Sequence, residues 1–256
     1  MNGYSVFAEY YDSLTANIDY KARAEYFHSL IKRFGGKEGG ILLDLACGTG
    51  SLSEEMSRLG YDVIGVDGSQ EMLSMALDKK FESGLNVQYL CQDMTRLDMF
   101  GTIDIIICAL DSLNHLPDYD ALKKTMERVS LFCEYGGLFI FDMNMPYKHK
   151  NILADSTYVY ETEDIYCVWQ NEYASGSSDH RVDISLDFFE RCENGSYERF
   201  SEDFSEIAFD REIIEKLLAE TGFELLSVYD YDTEEPYRDN SEKLVFIAKN
   251  IIPKNA

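Results

Sequence analysis

Leu43-Asp44-Leu45-Ala46-Cys47-Gly48-Thr49-Gly50 is the stretch on which the fold turns: a buried strand ends in a glycine turn that opens into a helix. Glycine lacks a Cβ and tolerates positive φ, so backbone can approach a ligand closely there. The first turn of the following helix adds unpaired N–H groups. Bare glycine turns suit many nucleotide-like ligands, but two features narrow this one. Asp44 places an acid inside the strand, and Ser51, Leu52 and Ser53 follow Gly50, so the third glycine of dinucleotide spacing is missing. A pyrophosphate would meet a nearby carboxylate, whereas the zwitterionic head of an amino acid has an ammonium to pair with it.

Outward from this stretch, residues 41–146 alternate short apolar runs with helical patterns, the signature of βα units and a parallel sheet. Strands are predicted at 41–46, 62–67, 87–90, 103–108 and 138–141, β-branched and apolar enough to be covered on both faces. Ser69 is placed to cap a helix carrying Met72, Leu73, Met75, Ala76 and Leu77, and Asp118 one carrying Leu122, Met126, Val129 and Phe132. Gly60, Gly84 and Gly136 sit where helix C-caps belong. After residue 206 the α/β pattern resumes: Asp210 caps a helix with Ile213, Ile214, Leu217 and Leu218, Gly222 ends it, and strands follow at 223–229 and 244–248.

Between these blocks the pattern changes. Residues 157–173, 180–192 and 197–209 alternate with period two and read as antiparallel strands with one wet face, separated by turns at Ser175-Gly176-Ser177-Ser178 and Glu193-Asn194-Gly195-Ser196. Residues 151–209 hold 14 acidic and 3 basic side chains, a net of −11 within a whole-chain charge of −24. A surface that negative repels phosphate backbones and anionic membranes, which argues against nucleic acid as the main partner. The longest apolar run, residues 105–110, is far short of the roughly 20 residues of a membrane span. The start, Met1-Asn2-Gly3-Tyr4, lacks the marks of a secretory signal, so a cytoplasmic chain is expected. The six cysteines are never closer than 17 residues and several lie in apolar runs, as buried thiols rather than a metal or disulfide framework. At the other end, residues 4–34 form an aromatic-rich helical pair with Tyr4, Phe7, Tyr10, Tyr11, Tyr20, Tyr26, Phe27, Leu30, Ile31 and Phe34, whose spacing suggests packing for most of them.

Two further acids follow in order. Val66-Asp67-Gly68-Ser69 ends the second strand, 23 residues after Asp44, where a carboxylate can accept two ribose hydroxyls. Cys91-Gln92-Asp93-Met94 ends the third, where an acid can accept from an exocyclic amine such as that of adenine while a backbone N–H donates to a ring nitrogen. Each acid alone is as often a cap or turn former. The conjunction resembles the class I S-adenosylmethionine-dependent methyltransferases of the small-molecule branch, over most of residues 36–146 and again over 207–250.

The resemblance implies a doubly wound, mostly parallel seven-stranded α/β sheet with the last strand antiparallel and helices on both faces. The cofactor domain would comprise 1–146 and 207–256, with a helical cap over about 1–36 and an inserted antiparallel β lid at 147–206. It implies that Asp44, Ala46, Gly48 and Gly50 serve the methionine end of S-adenosylmethionine, that Asp67, Gly68 and Ser69 hold the ribose, and that Asp93 with Met94 reads the adenine. The segment 109–116, with Leu110 and His115, would lie between cofactor and substrate. Phe7-Ala8-Glu9-Tyr10-Tyr11-Asp12 is similar to the N-terminal tyrosine motif of that branch, in which a tyrosine closes over the cofactor.

A sulfonium donor is already activated, so methyl transfer asks mainly for in-line positioning and exclusion of water. An aromatic face stabilises a sulfonium, which gives Tyr11 and Tyr20 a role beyond packing. His115, the one histidine beside a strand's carboxyl edge, is the candidate base for an N or O acceptor, although it could equally orient a loop. An acidic lid favours a cationic acceptor if its inner face is also negative. The expected product is S-adenosylhomocysteine, with no metal required, a small-molecule acceptor and a monomeric or homodimeric enzyme. The competing readings are a nicotinamide-dependent oxidoreductase using Asp67 on an NAD ribose, a non-catalytic cofactor-binding module, and a methyltransferase acting on a macromolecule.

Overall fold

The computed structural model describes residues 3–253 apart from 16, 175, 177 and 178, with side chains described from Ala8 onward except Glu9. The packing expected of Tyr4 and Phe7, and most of the turn expected at 175–178, lie outside the described residues.

The first half alternates as the sequence does: α1 Gly3–Leu14, α2 Tyr20–Arg33, β1 Ile41–Leu45, α3 Ser51–Arg58, β2 Asp62–Asp67, α4 Gln70–Ser83, β3 Gln88–Cys91, β4 Ile103–Cys108, α5 Tyr119–Phe132 and β5 Cys133–Asn144. A short α6, Pro146–Lys148, leads to β6 Thr157–Glu161, β7 Ile165–Tyr173, β8 Val182–Arg191 and β9 Tyr197–Glu206. Helix α7, Arg211–Glu220, then precedes β10 Phe223–Asp230 and β11 Lys243–Asn250. The large sheet has the order β10-β11-β5-β4-β1-β2-β3, and β11 is antiparallel to both of its neighbours. Adjacent β1 and β4 run parallel while the chain leaves them in opposite directions, which opens a crevice at their carboxyl ends.

Alternation along each strand divides the core in two. Leu43, Leu45, Ile106, Phe139, Phe141 and Phe246 bury against α5 and α7, while Leu42, Val63, Ile105, Ile107, Ile140 and Val245 bury against α2 and α3. Both faces are covered, which is why these strands carry so little polar character. The caps follow the sequence at Ser69, which accepts from Met72 N at 3.1 Å, and at Asp118, which accepts from Ala121 N at 2.7 Å. Asp210 occupies the N-cap of α7 but its side chain makes no capping bond.

Two further expectations are corrected. Gly136 ends no helix: α5 finishes at the Cys133 cap, and Gly136 (φ 78°) lies in an irregular start of β5, where the pairing with β4 shifts register. Next to it, a Cβ on Gly137 would stand 2.8 Å from the Asp104 carbonyl, so close backbone contact accounts for that glycine. The stretch 157–173 is not one strand but the hairpin β6–β7, because Thr162 turns the chain: its N–H donates to Ile165 O and its Oγ1 accepts from Ile165 N.

The second sheet, β6-β7-β8-β9, is antiparallel throughout. One face buries Ile165, Cys167, Val182, Ile184, Leu186 and Phe188, packed by Tyr10 and Leu14 of α1. The Tyr10 hydroxyl donates to Glu190 at 2.8 Å, fastening α1 to this sheet. Among the described residues no helix is long and apolar enough to cross a membrane.

Candidate active site

A cavity of about 610 Å³ opens at the carboxyl ends of β1 and β2, within the range of roughly 300–1,000 Å³ typical of small-molecule sites. Its floor is Leu45, Ala46, Gly48, Val66, Asp67, Gly68 and Ser69; Tyr11 and His115 flank it, and Glu202, Phe204 and Ser205 reach it from β9. A smaller cleft beside it is lined by Tyr11, Tyr20, Asp44, Ala46, Gly48 and Leu110.

The floor is built by the turn after β1. Ala46 (φ 61°) and Gly48 (φ 54°) both adopt left-handed backbone, which costs an alanine about 1 kcal/mol or more. Asp67 holds this geometry from the neighbouring strand: Oδ2 accepts from Gly48 N and Oδ1 from Ser69 N, both at 2.8 Å. Burial raises the Asp67 carboxyl, and these N–H donors oppose the rise. The carboxylate also lines the cavity, where it can accept from a ligand. A Cβ at Gly48 or Gly68 would meet no atom within 4 Å, so these glycines leave cavity volume open rather than admit packing. The arrangement fits a nucleoside carrying an amino-acid tail.

Gly50, expected beside the methionine end of the cofactor, has a packing reason of its own. It lines neither cavity, and a Cβ there would fall 2.3 Å from the Tyr89 hydroxyl, so it is a glycine because β3 packs against it. Asp93, expected at the adenine, caps its own turn in this structure: its exposed carboxylate accepts from Thr95 N at 2.8 Å and Thr95 Oγ1 at 2.9 Å at the start of the short 3-10 turn Met94–Arg96. Gln92 and Met94 line the cavity on either side of it.

Asp44 lies at the back of the smaller cleft, 2% exposed, with Ser53 Oγ donating at 2.5 Å. Burial pushes its carboxyl up to about 7, the Ser53 bond opposing and the nearby Asp67 adding to the rise. Because the folded value lies above the unfolded one of about 3.9, stability is lost as pH rises from about 4 to 7 and changes little beyond. Asp44→Asn is therefore expected to raise Tm relative to the parent by roughly 5 °C more at pH 8 than at pH 5. Differential scanning fluorimetry at the two pH values checks this, and an equal change at both would refute it.

Sequence reasoning missed two anchors of this site. Lys79 of α4 donates to Thr49 Oγ1 at 2.9 Å and Ser51 Oγ at 2.6 Å and pairs with Asp12, which itself accepts from Thr49 at 2.7 Å. These bonds tie α1 to the glycine turn and so hold Tyr11 over the cavity, its hydroxyl bonded to Tyr20 and pushed up chiefly by burial. The second anchor lies behind the β4 exit. Leu110 (φ 57°) and Asp111 (φ 54°) are left-handed, with their N–H groups donating to buried Asp142 at 2.9 and 2.6 Å. Lys243 stands 2.7 Å from Asp111 and 3.4 Å from Asp142. Asn144 links Asp111, at 2.5 Å, to Glu206 at the end of β9, at 3.0 Å. An acid at the end of one strand and a lysine at the start of another are unremarkable in sequence, and only sheet order makes them neighbours. His115 closes the wall, its Nε2 3.8 Å from Glu206 and its ring centroid 5.3 Å from that of Phe204.

Sheet order, a left-handed turn after β1 and an acid presented by β2 define a Rossmann-like enzyme that binds a nucleoside cofactor at its topological switch point. A methyltransferase-domain family profile matches residues 42–137. YqeM of Bacillus subtilis (strain 168), whose name places it among methyltransferases, is 33% identical over 249 residues, covering 96% of each chain. An S-adenosylmethionine-dependent methyltransferase from Clostridium acetobutylicum ATCC 824, with a crystal structure, is 33% identical and superposes with a TM-score of 0.85 over 97% of this chain and 99% of that one. The S-adenosylmethionine-bound amino pentose methyltransferase CalS10 from Micromonospora echinaspora shares the fold at 17% identity, with a TM-score of 0.73 over 94% and 96% of the two chains. The chain belongs to the class I S-adenosylmethionine-dependent methyltransferases, which decides between the enzyme readings in favour of methyl transfer.

Proposed function

We propose that the protein transfers a methyl group from S-adenosylmethionine to a nitrogen or oxygen of a small-molecule acceptor, by in-line displacement. The observation that carries this is a single cavity bounded on one side by the turn of β1 and the acid of β2 and on the other by β9 of the second sheet. In this reading residues 147–206 form a lid and the acceptor enters between it and the floor. The cofactor, when bound, supplies a methyl group already activated on a sulfonium.

The chain's own residues then position and shield. Asp67 would accept from the ribose hydroxyls, with Gly68 and Ser69 beside it. Gln92 and Met94 flank the adenine, Met94 lining the cavity where the Asp93 carboxylate does not. Ala46 and Gly48 would border the methionine tail, Asp44 would be the acid nearest its ammonium, and Leu110 borders the same cleft. Tyr11, backed by Tyr20, would offer an aromatic face to the sulfonium. Phe204 and Tyr11 exclude water from the line of transfer. Two groups on the acceptor side can take a proton, His115 and Glu202. The net charge of −24 favours a small acceptor over nucleic acid.

Calorimetric titration with S-adenosylmethionine and NAD, followed by transfer of labelled methyl to small acceptors, tests this reading. Saturable binding of the former alone is expected. Asp93→Ala should weaken it less than about tenfold, since only a cap worth about 1 kcal/mol is lost. Binding of NAD instead, or label passing only to macromolecules, would overturn it.

A further inference from the structure

Glu202 faces the cavity in a state that the described fold leaves incomplete. It sits on β9 opposite Leu186 of β8, and its strand turns Phe200, Glu202, Phe204 and Glu206 to one face by period two. Around Glu202 that face is apolar, with Leu186, Phe188, Phe200 and Phe204, while the acids farther along it, Glu190 and Glu198, lie at the end where Glu190 accepts from Tyr10. Glu206 is satisfied there by Asn144. Glu202 is not: the residue is only 7% exposed, and its Oε2 is fully enclosed and accepts no hydrogen bond. Leaving a carboxylate so placed costs several kcal/mol unless something supplies donors and, best, a positive charge.

Nothing in the cavity wall supplies that charge. The ionisable groups that face the space are Tyr11 from α1, Asp67 from β2, Glu71 from α4, His115 from the 3-10 turn after β4 and Glu202 itself, while Asp203, next to it on β9, points to the other face; no described lining residue is Lys or Arg. His115 is 45% exposed and already turned to Glu206. An acceptor bearing a carboxylate or phosphate would be repelled by this wall, and an alcohol would answer only part of the deficit. An ammonium satisfies both the missing donor and the missing charge.

Resting on the proposed methyl transfer, we infer that Glu202 is the acceptor-binding group, that the acceptor is a small primary or secondary amine arriving as its ammonium, and that Glu202 takes the proton that frees the nitrogen lone pair. The step balances. The ammonium N–H breaks with its proton passing to the Glu202 carboxylate, and the freed lone pair forms the new C–N bond. The methyl–sulfur bond breaks with its electron pair returning to sulfur, which leaves as the neutral thioether. The product is the methylated ammonium, and protonated Glu202 releases its proton to solvent as the cavity opens. A proton acceptor for this role works best near the operating pH. Burial, with Asp203 adding to it, pushes the Glu202 carboxyl up to about 7.

The test compares wild type with Glu202→Gln, Glu202→Asp and His115→Gln, using labelled S-adenosylmethionine and a panel of small amines, each paired with the alcohol and the carboxylate on the same scaffold. Glucosamine, glucose and glucuronate form one such triplet. Wild type is expected to methylate amines over their alcohol and carboxylate partners, with kcat/KM rising through a pH near 7. Glu202→Gln should lose about 100-fold in kcat/KM toward amines and lose that pH limb, while S-adenosylmethionine affinity by calorimetry stays within threefold and the circular dichroism spectrum is unchanged. Glu202→Asp, which keeps the charge and shortens its reach, should chiefly raise KM, and His115→Gln should keep the pH limb. The inference is overturned if no amine is methylated, if alcohols or carboxylates are preferred, if Glu202→Gln stays within threefold of wild type, or if the pH limb vanishes in His115→Gln instead. Absence of S-adenosylmethionine binding by wild type would overturn the underlying methyltransferase reading, a different result from intact cofactor binding without amine preference.

Discussion

Replacing Asp67 with alanine is expected to weaken S-adenosylmethionine binding about 100-fold while leaving the fold intact. The carboxylate does two jobs. Its Oδ2 and Oδ1 hold the N–H groups of Gly48 and Ser69 at 2.8 Å, fixing the left-handed turn, and the same carboxylate lines the cavity. Hydrogen bonds to a charged group contribute about 1.5–3 kcal/mol each. Two ribose hydroxyls would thus account for roughly 3–6 kcal/mol, of which water entering the vacated space restores part. About 2.7 kcal/mol of net loss is a factor of 100. Asp67→Asn is informative beside it, since the amide keeps the volume but turns an N–H toward a backbone donor. It should lose at least about tenfold. Calorimetry with a Tm control checks both, and a loss under threefold in Asp67→Ala would mean that the ribose lies elsewhere.

Lys243→Met should cost about 3–5 kcal/mol of stability, a fall in Tm of roughly 6–20 °C. Lys243 is buried at the start of β11, and its ammonium lies between Asp111 and Asp142. Burial works to raise the Asp111 carboxyl, but Lys243 and Lys148 overcome this and hold it well below the usual carboxylate range. For Asp142, burial prevails over Lys243 and the value is raised. Methionine fills the space and leaves two buried carboxylates facing each other.

The sign of the pH dependence follows. Without Lys243, burial and mutual repulsion both act to raise the two carboxyls, so the folded variant is expected to bind more protons than the unfolded chain. Stability of the variant therefore rises as pH falls, and its deficit against wild type should shrink between pH 8 and pH 5. Thermal melts across that range check it, and a deficit that grows on acidification would refute it. Because Asp142 also fixes the Leu110 and Asp111 N–H groups, cofactor affinity should fall in the same variant.

Local patterns survived folding where packing and propensity agreed. Residues 103–108 and 62–67 were expected as strands and form β4 and β2 within the same bounds, because β-branched runs buried on both faces have no competing arrangement. Ser69 and Asp118 cap where expected, since a cap needs only its own next three residues. Where the outcome depended on a distant partner, local signals did not suffice. Gly50 sits in the glycine turn, and the Tyr89 hydroxyl of β3, far along the chain, is what a Cβ there would meet. Gly136 looks like a helix cap but belongs to a strand whose register shifts against β4.

The sequence by itself determined the βα alternation, the acid–glycine turn of residues 44–50, the acid at 67 and the acidic, period-two insertion, since each is written in neighbouring side chains. Only the tertiary structure brought Lys243 between Asp111 and Asp142 and set Lys79 against Thr49. It alone turned Glu202 of β9 toward Asp67 of β2 across one cavity. Secondary structure follows from periodicity over a few residues. A polar network depends on which strands lie side by side, and the burial that raises the Asp44 and Glu202 carboxyls exists only once the sheets and helices have closed over them.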